Sequence, residues 1–251
     1  MGDTRLIHFH LFKNGGSTFD SILKTNFGDQ FSEFHGPNSD SSLFESDILN
    51  FVSSYPHIKA VSSHHFRFPV NTDSLSNIKL FPVVFIRHPV DRIYSIYAHE
   101  QRVADNGHGK QDFKSWLACA LGERPYLCRD AQTCFFADGG TYYEVPDVCA
   151  YERAKVLLDT LEFCGVVNAF NLSMAALEYL LSKKGLKIDA SYQTKNITPD
   201  RHHNLSVRLE EICTQAGNDL FDRLLVNNLY DLQLYDFTKE KLYKQIGLIL
   251  K

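Results

Sequence analysis

The chain opens with a strand, a glycine turn and a helix in direct succession, and that unit limits what the rest can build. Residues 5–12 read as a short buried strand, Lys13-Asn14-Gly15-Gly16 as a turn, and residues 17–26 as a helix with Phe19, Ile22 and Leu23 on one face. The plan recurs at residues 80–86, an apolar strand that stops at Arg87-His88-Pro89. Pro89 suits the first helical position, where its missing N–H costs nothing. On the helix that follows, Val90, Ile93, Tyr94 and Tyr97 fall at i, i+3, i+4 and i+7. His88, Asp91, Arg92, Ser95 and His99 share the opposite, polar face.

Further strands are expected at 58–62 and 162–167, and helices near 43–54, 112–121, 151–161, 171–183, 205–216 and 218–235. Strands alternating with helices predict an α/β fold with a mainly parallel central sheet flanked by helices, followed by a helical C-terminal third. A single domain over 1–251 is the simplest reading, with a turn-rich inserted lid or acceptor-binding region at about 103–150.

Charge and targeting signals narrow the function classes. Lys+Arg 26 against Asp+Glu 30 gives −4, so no bulk positive field exists to coat nucleic acid. Any polyanion must therefore bind at a local site. No apolar run approaches the ~18–20 residues of a transmembrane segment. The N-terminus lacks the secretory pattern, and Leu6 stands where myristoylation wants Ser or Thr. Six cysteines show no C-x-x-C pair, which argues against a zinc or redox motif and for reduced, mostly buried thiols. A cytoplasmic location is the expectation.

The first turn has a definite physical use. Gly15 and Gly16 let consecutive N–H groups point at one spot on the helix axis, where the helix adds roughly half a positive charge. Ser17 and Thr18 add hydroxyls and Lys13 a full charge, so a phosphate or sulfate fits; an ordinary βα turn is the plainer alternative. The lysine precedes the glycines, whereas the nucleotide-triphosphatase loop G-x-x-x-x-G-K-S/T places it after them. The later strands end in Ser62-Ser63-His64-His65 and in Arg87-His88, with no aspartate to hold Mg²⁺. Both features weigh against a P-loop nucleotide kinase.

These residues carry a resemblance. His10-Leu11-Phe12-Lys13-Asn14-Gly15-Gly16-Ser17-Thr18 resembles the 5′-phosphosulfate loop of sulfotransferases that use 3′-phosphoadenosine 5′-phosphosulfate (PAPS). The nearest branch holds the heparan sulfate 2-O-sulfotransferases and bacterial carbohydrate sulfotransferases, with Asn14 in place of their usual threonine. The segment 85–95 resembles the family's 3′-phosphate motif, an arginine (Arg87) at a strand end and a serine (Ser95) eight residues on. Ser63-His64-His65-Phe66 resembles the element bearing the family's proposed base, with His65 aligned to that histidine and His64 in its glycine position. Weaker matches run through 132–138, 151–155, 163–166 and 231–235.

The resemblance implies a P-loop-like sulfotransferase fold and transfer of a sulfuryl group from PAPS to a hydroxyl, less readily an amine, leaving 3′-phosphoadenosine 5′-phosphate (PAP). The acceptor it suggests is a saccharide or glycoconjugate, and the scheme needs no metal. Lys13, Asn14, Gly15, Gly16, Ser17 and Thr18 would hold the 5′ end, Arg87 and Ser95 the 3′-phosphate. Lys195 and Arg201, in a polar loop, would close over the nucleotide or simply lie in a solvated connector. Lys13 would meet the charge that grows on the leaving oxygen, and His65 would take the acceptor proton, with His64, His99 and Glu100 as substitutes. The plainer alternative for Arg87 is a structural pairing with an acidic neighbour such as Asp91, and Arg92 reads, more than Arg87, as a surface ion pair. Trp116, Tyr126, Tyr142 and Tyr143 offer either a stacking wall for a sugar or core packing. A catalytically inactive nucleotide-binding protein is the non-enzymatic alternative.

Overall fold

The computed structural model describes residues 3–71, 77–103, 111–137, 139, 146–191 and 202–250. Strand β1 (Asp3–Phe9) is buried on both faces after its first residue, as a central parallel strand must be. It lies between β3 (Ala60–Ser63) and β4 (Ile78–Val83), with β2 (Phe31–Glu33) beyond β3. All four strands run parallel, in the order β2-β3-β1-β4, with Ile7 opposite Val61 on one side and Pro82 on the other. Pro82 is tolerated because β4 is an edge, where a missing ladder donor costs little.

The expected strand at 80–86 divides in two. β1 stops pairing at His8–Val83, and the chain then takes a new partner: β5 (Phe85–Ile86) pairs in parallel with β6 (Gly165–Val166). Gly165 is required there, because a Cβ would run into the Phe85 ring.

Helix α1 (Gly16–Phe27) turns Phe19, Ile22 and Leu23 inward as the spacing predicts, and α2 (Glu45–Ser54) buries Ile48 and Val52. Helix α3 (Pro89–Val103) departs from expectation: Asp91, Arg92 and Ser95, on its polar face, are buried along with Val90 and Ile93. The middle of the chain is helical, with α4 (Phe113–Glu123), α5 (Pro125–Cys128), α6 (Ala131–Ala137) and α7 (Val148–Thr160). After β6 come α8 (Phe170–Lys183), α9 (Leu205–Ala216), α10 (Asn218–Val226) and α11 (Leu229–Ile249). The single helix expected at 218–235 is broken by Asn228, whose amide donates to the carbonyls of Cys128 and Leu224 and so stops α10.

Two apolar clusters result. The larger joins the sheet to α1, α2, α7, α8 and α11 around Phe9, Phe19, Phe85 and Phe163. The smaller gathers α3, α4, α9 and α10 around Ile93, Trp116, Leu117 and Ile212. Trp116 is therefore core packing. All six cysteines are free thiols, and no helix among the described residues is long and apolar enough to cross a membrane.

Candidate active site

Ligands of parallel α/β sheets bind beyond the carboxyl ends of the strands. There the chain leaves β1 and curls tightly. The N–H of His10 donates to Ser63 O at 3.0 Å, and that of Asn14 to Leu11 O at 3.2 Å. Lys13 and Gly15 both adopt left-handed backbone, φ +65° and +77°, before α1 starts at Gly16. Such a conformation costs a non-glycine residue roughly 1–2 kcal/mol, and strain of this kind gathers at functional sites. Of the first α1 amides, Thr18 and Phe19 donate to the Gly15 carbonyl at 3.1 and 3.2 Å, and those of Gly16 and Ser17 stand ahead of them at the helix's positive end. Ser17 is exposed beside them, and Thr18 is buried one residue on.

Cations converge on this turn. Burial, with Arg102 and Arg87 nearby, pushes the Lys13 ammonium down to about 8. Arg87 donates from Nη1 to the carbonyl of Lys13 at 2.8 Å, so the 5′ loop and the arginine of the 3′ motif touch directly. Its Nε pairs with Asp91 at 2.7 Å, the acidic partner the spacing suggested. Asp91, 1% exposed, also accepts from Arg208 of α9 at 2.7 Å and from Asn168 at 3.3 Å. Ser95 lies one turn further along α3 and is buried.

Arg92 is not the surface ion pair expected from the sequence. It is 4% exposed, and it donates to the carbonyls of Phe12 and Leu127 at 3.1 and 3.2 Å. It ties the 5′ loop to α5. The Asn14 side chain likewise turns inward, donating to Phe85 O at 2.7 Å and to Gln132 at 2.8 Å. Arg208 and Gln132 escaped the sequence reading altogether as site residues, since their partners lie far along the chain.

The histidines sort by their hydrogen bonds. His8 and His10 each direct Nδ1 at one oxygen of Asp20, at 2.8 and 2.9 Å, and the pair holds the Asp20 carboxyl well below the usual carboxylate range despite burial that opposes it. His64 donates from Nδ1 to the carbonyl of His10 at 2.8 Å, and the two rings lie 3.7 Å apart. Burial, with His10 second, pushes His64 down to about 4, so it is neutral near pH 7 with a bare Nε2. His65 is arranged the opposite way: its Nδ1 accepts the Gly36 N–H at 2.8 Å, which leaves the proton on Nε2. Burial, then His35 and Arg67, lower its pKa too.

His99 sits against Phe12 and is lowered by burial and then by Lys13. Glu100 is committed to Arg124 at 2.9 Å and Trp116 at 2.7 Å. His202 and His203 accept Arg208 through their carbonyls, while His202 Nδ1 accepts from Asn204 N, so both serve the start of α9. Lys195, Arg201, Tyr142 and Tyr143 lie outside the described residues.

A sequence model described as the sulfotransferase family matches residues 1–238. An uncharacterised protein of Archaeoglobus fulgidus is 29% identical over 240 residues, covering 92% of this chain and 94% of that protein. With the match running from β1 into α11 and taking in both strand–turn–helix units, the chain belongs to the sulfotransferase family.

Proposed function

We propose that the protein moves a sulfuryl group from PAPS to a hydroxyl of an acceptor, with PAP as the other product. The observation that carries this is Arg87 Nη1 donating to the Lys13 carbonyl at 2.8 Å, which sets the arginine beside the loop that opens α1. An anion seated at the start of α1 would meet Lys13 and the helix's positive end together. Gly15 to Thr18 and Lys13 take the 5′ end; Arg87 and Ser95 take the 3′-phosphate; Lys195 and Arg201 cover the nucleotide. Lys13 offsets the charge that grows on the oxygen bridging sulfur and phosphate as that bond breaks.

The base we propose is His64, in the role that motif alignment gives to His65. The support is the tautomer: His64 keeps Nδ1–H on the His10 carbonyl and has Nε2 free to accept, whereas His65 has its accepting nitrogen on Gly36. As the acceptor oxygen attacks sulfur, its proton passes to that Nε2. A saccharide hydroxyl is the acceptor class that the resembled branch suggests.

Thermal shift and turnover test this together. PAP should raise the melting temperature more than ADP or ATP–Mg²⁺ at equal concentration, by mass action on the native state. ³⁵S-labelled PAPS with a panel of oligosaccharides should then yield labelled product. Greater stabilisation by ATP–Mg²⁺ would return the kinase reading; PAP binding without turnover on any acceptor class would favour an inactive binding protein.

A further inference from the structure

Gln132 opens the first turn of α6 at 0% exposure, between the two ligand loops. Its Oε1 accepts from Asn14 Nδ2 at 2.8 Å and from the backbone N–H of Arg87 at 3.0 Å. Its Nε2 donates to Arg87 O at 2.9 Å and to Asp231 Oδ2 at 3.2 Å. Reading both the N–H and the C=O of Arg87 fixes the amide, since the reversed orientation would set donor against donor and acceptor against acceptor.

Asn14 is fixed in turn, because Nδ2 must meet both Gln132 and the Phe85 carbonyl. Its Oδ1 is then buried with no hydrogen-bond partner among the described residues. Buried polar atoms are rarely left this way. The tie between the loop and Gln132 is thus kept although it strands an acceptor.

Behind Gln132 the anchoring is strong. Asp231 accepts from the backbone N–H groups of Gln132 and Thr133 and from the Thr133 hydroxyl, and Asp130 accepts from the Asp231 N–H at 2.8 Å. Gln132 therefore joins the loop after β1, the loop after β5 and the start of α11 through one side chain.

We propose that Gln132 is a positioning residue that couples the 5′ loop to the 3′ motif, so that the two anionic ends of the donor bind cooperatively. The proposal rests on the donor reading above. Gln132 itself touches neither end; it acts through Asn14 and the Arg87 backbone. Because this amide fixes the two loops relative to one another, a donor seated at one end meets the other end already in register, which is the physical content of a coupling between sites.

Calorimetric titration of PAP, 5′-AMP and 3′-AMP into wild type, Gln132→Leu and Asn14→Ala tests it, with melting temperatures measured beside. Gln132→Leu should weaken PAP about tenfold, within the range of coupled sites, and each monophosphate by less than about threefold. A role in folding alone would cost all three ligands the same factor. Asn14→Ala cuts the tie from the loop side and decides the matter should Gln132→Leu not fold. Equal losses on all three ligands, or undiminished PAP affinity, overturn the coupling. Wild type that binds no PAP overturns the donor reading and the coupling with it, a failure seen before any variant is made.

Discussion

The imidazole of His10 occupies the space that any side chain on Gly16 would need, and His10 has little room to retreat. Asp20 holds its Nδ1 at 2.9 Å, and the His64 ring packs 3.7 Å away. Gly16→Ala should therefore cost about 1–3 kcal/mol, the usual penalty of an overpacked site, and should weaken PAP by displacing the loop. Gly15→Ala meets only ordinary contacts and is opposed by its φ of +77° alone, so its melting temperature should fall less. Thermal melts of the two variants side by side check the order.

Donor affinity should depend on pH through Lys13. Its ammonium titrates at about 8, so the charged form that holds the donor prevails below pH 8 and is lost above it. The dissociation constant of PAP should be level around pH 7 to 7.5, where its phosphates are dianionic, and rise by up to about tenfold per unit above 8. Lys13→Arg should keep the affinity level to pH 10, because a guanidinium does not lose its proton there. A flat wild-type profile would take Lys13 out of contact with the donor.

His64→Ala should lower turnover by ~10²–10⁴, the range for loss of a general base, while His65→Ala stays within severalfold of wild type. Because His64 is pushed down to about 4, its basic form is already dominant above pH 5. The rate should climb with pH through about 4, level off, and fall above 8 as Lys13 deprotonates. An acid limb that disappears in His65→Ala and persists in His64→Ala would restore His65 as the base.

Asp130 gives a pH effect on stability. Burial, and then the neighbouring Asp231, push its carboxyl up to about 8. A carboxyl raised on folding contributes stability that is complete below its unfolded pKa and disappears as pH rises through the folded value. The melting temperature should thus decline from pH 5 toward pH 9. Asp130→Asn keeps an acceptor for the Asp231 N–H and suits the positive φ of +39°, so it should melt higher than wild type at pH 8.5 and flatten the profile.

Legibility followed sequence distance. The two strand–turn–helix units were readable because apolar periodicity, the glycine pair and Pro89 are local signals. Pairing of Arg87 with Asp91 was readable as well, at i, i+4. Arg92 was misread because periodicity reports which residues share a helix face, not what covers it; the carbonyls it holds come from residues 80 and 35 positions away. Helix α6 was invisible for a related reason. The Thr133 N–H at its start is accepted by Asp231, 98 positions on. The proposal of His64 over His65 rests on which backbone groups meet their nitrogens, Gly36 in one case and His10 in the other. Motif spacing carries no record of that.

Asp91 gives the arrangement around Arg87 one more meaning. A single carboxylate carries two guanidiniums, from α3's own entry loop and from α9, at 2.7 Å each. The aspartate works as a resident counter-anion that keeps Arg87 parked in a fixed plane before any ligand arrives. The entropy of ordering that side chain is then met during folding and not during association, which is the essence of preorganisation. A phosphate bound as proposed would then meet a guanidinium already held in place and would not have to organise it.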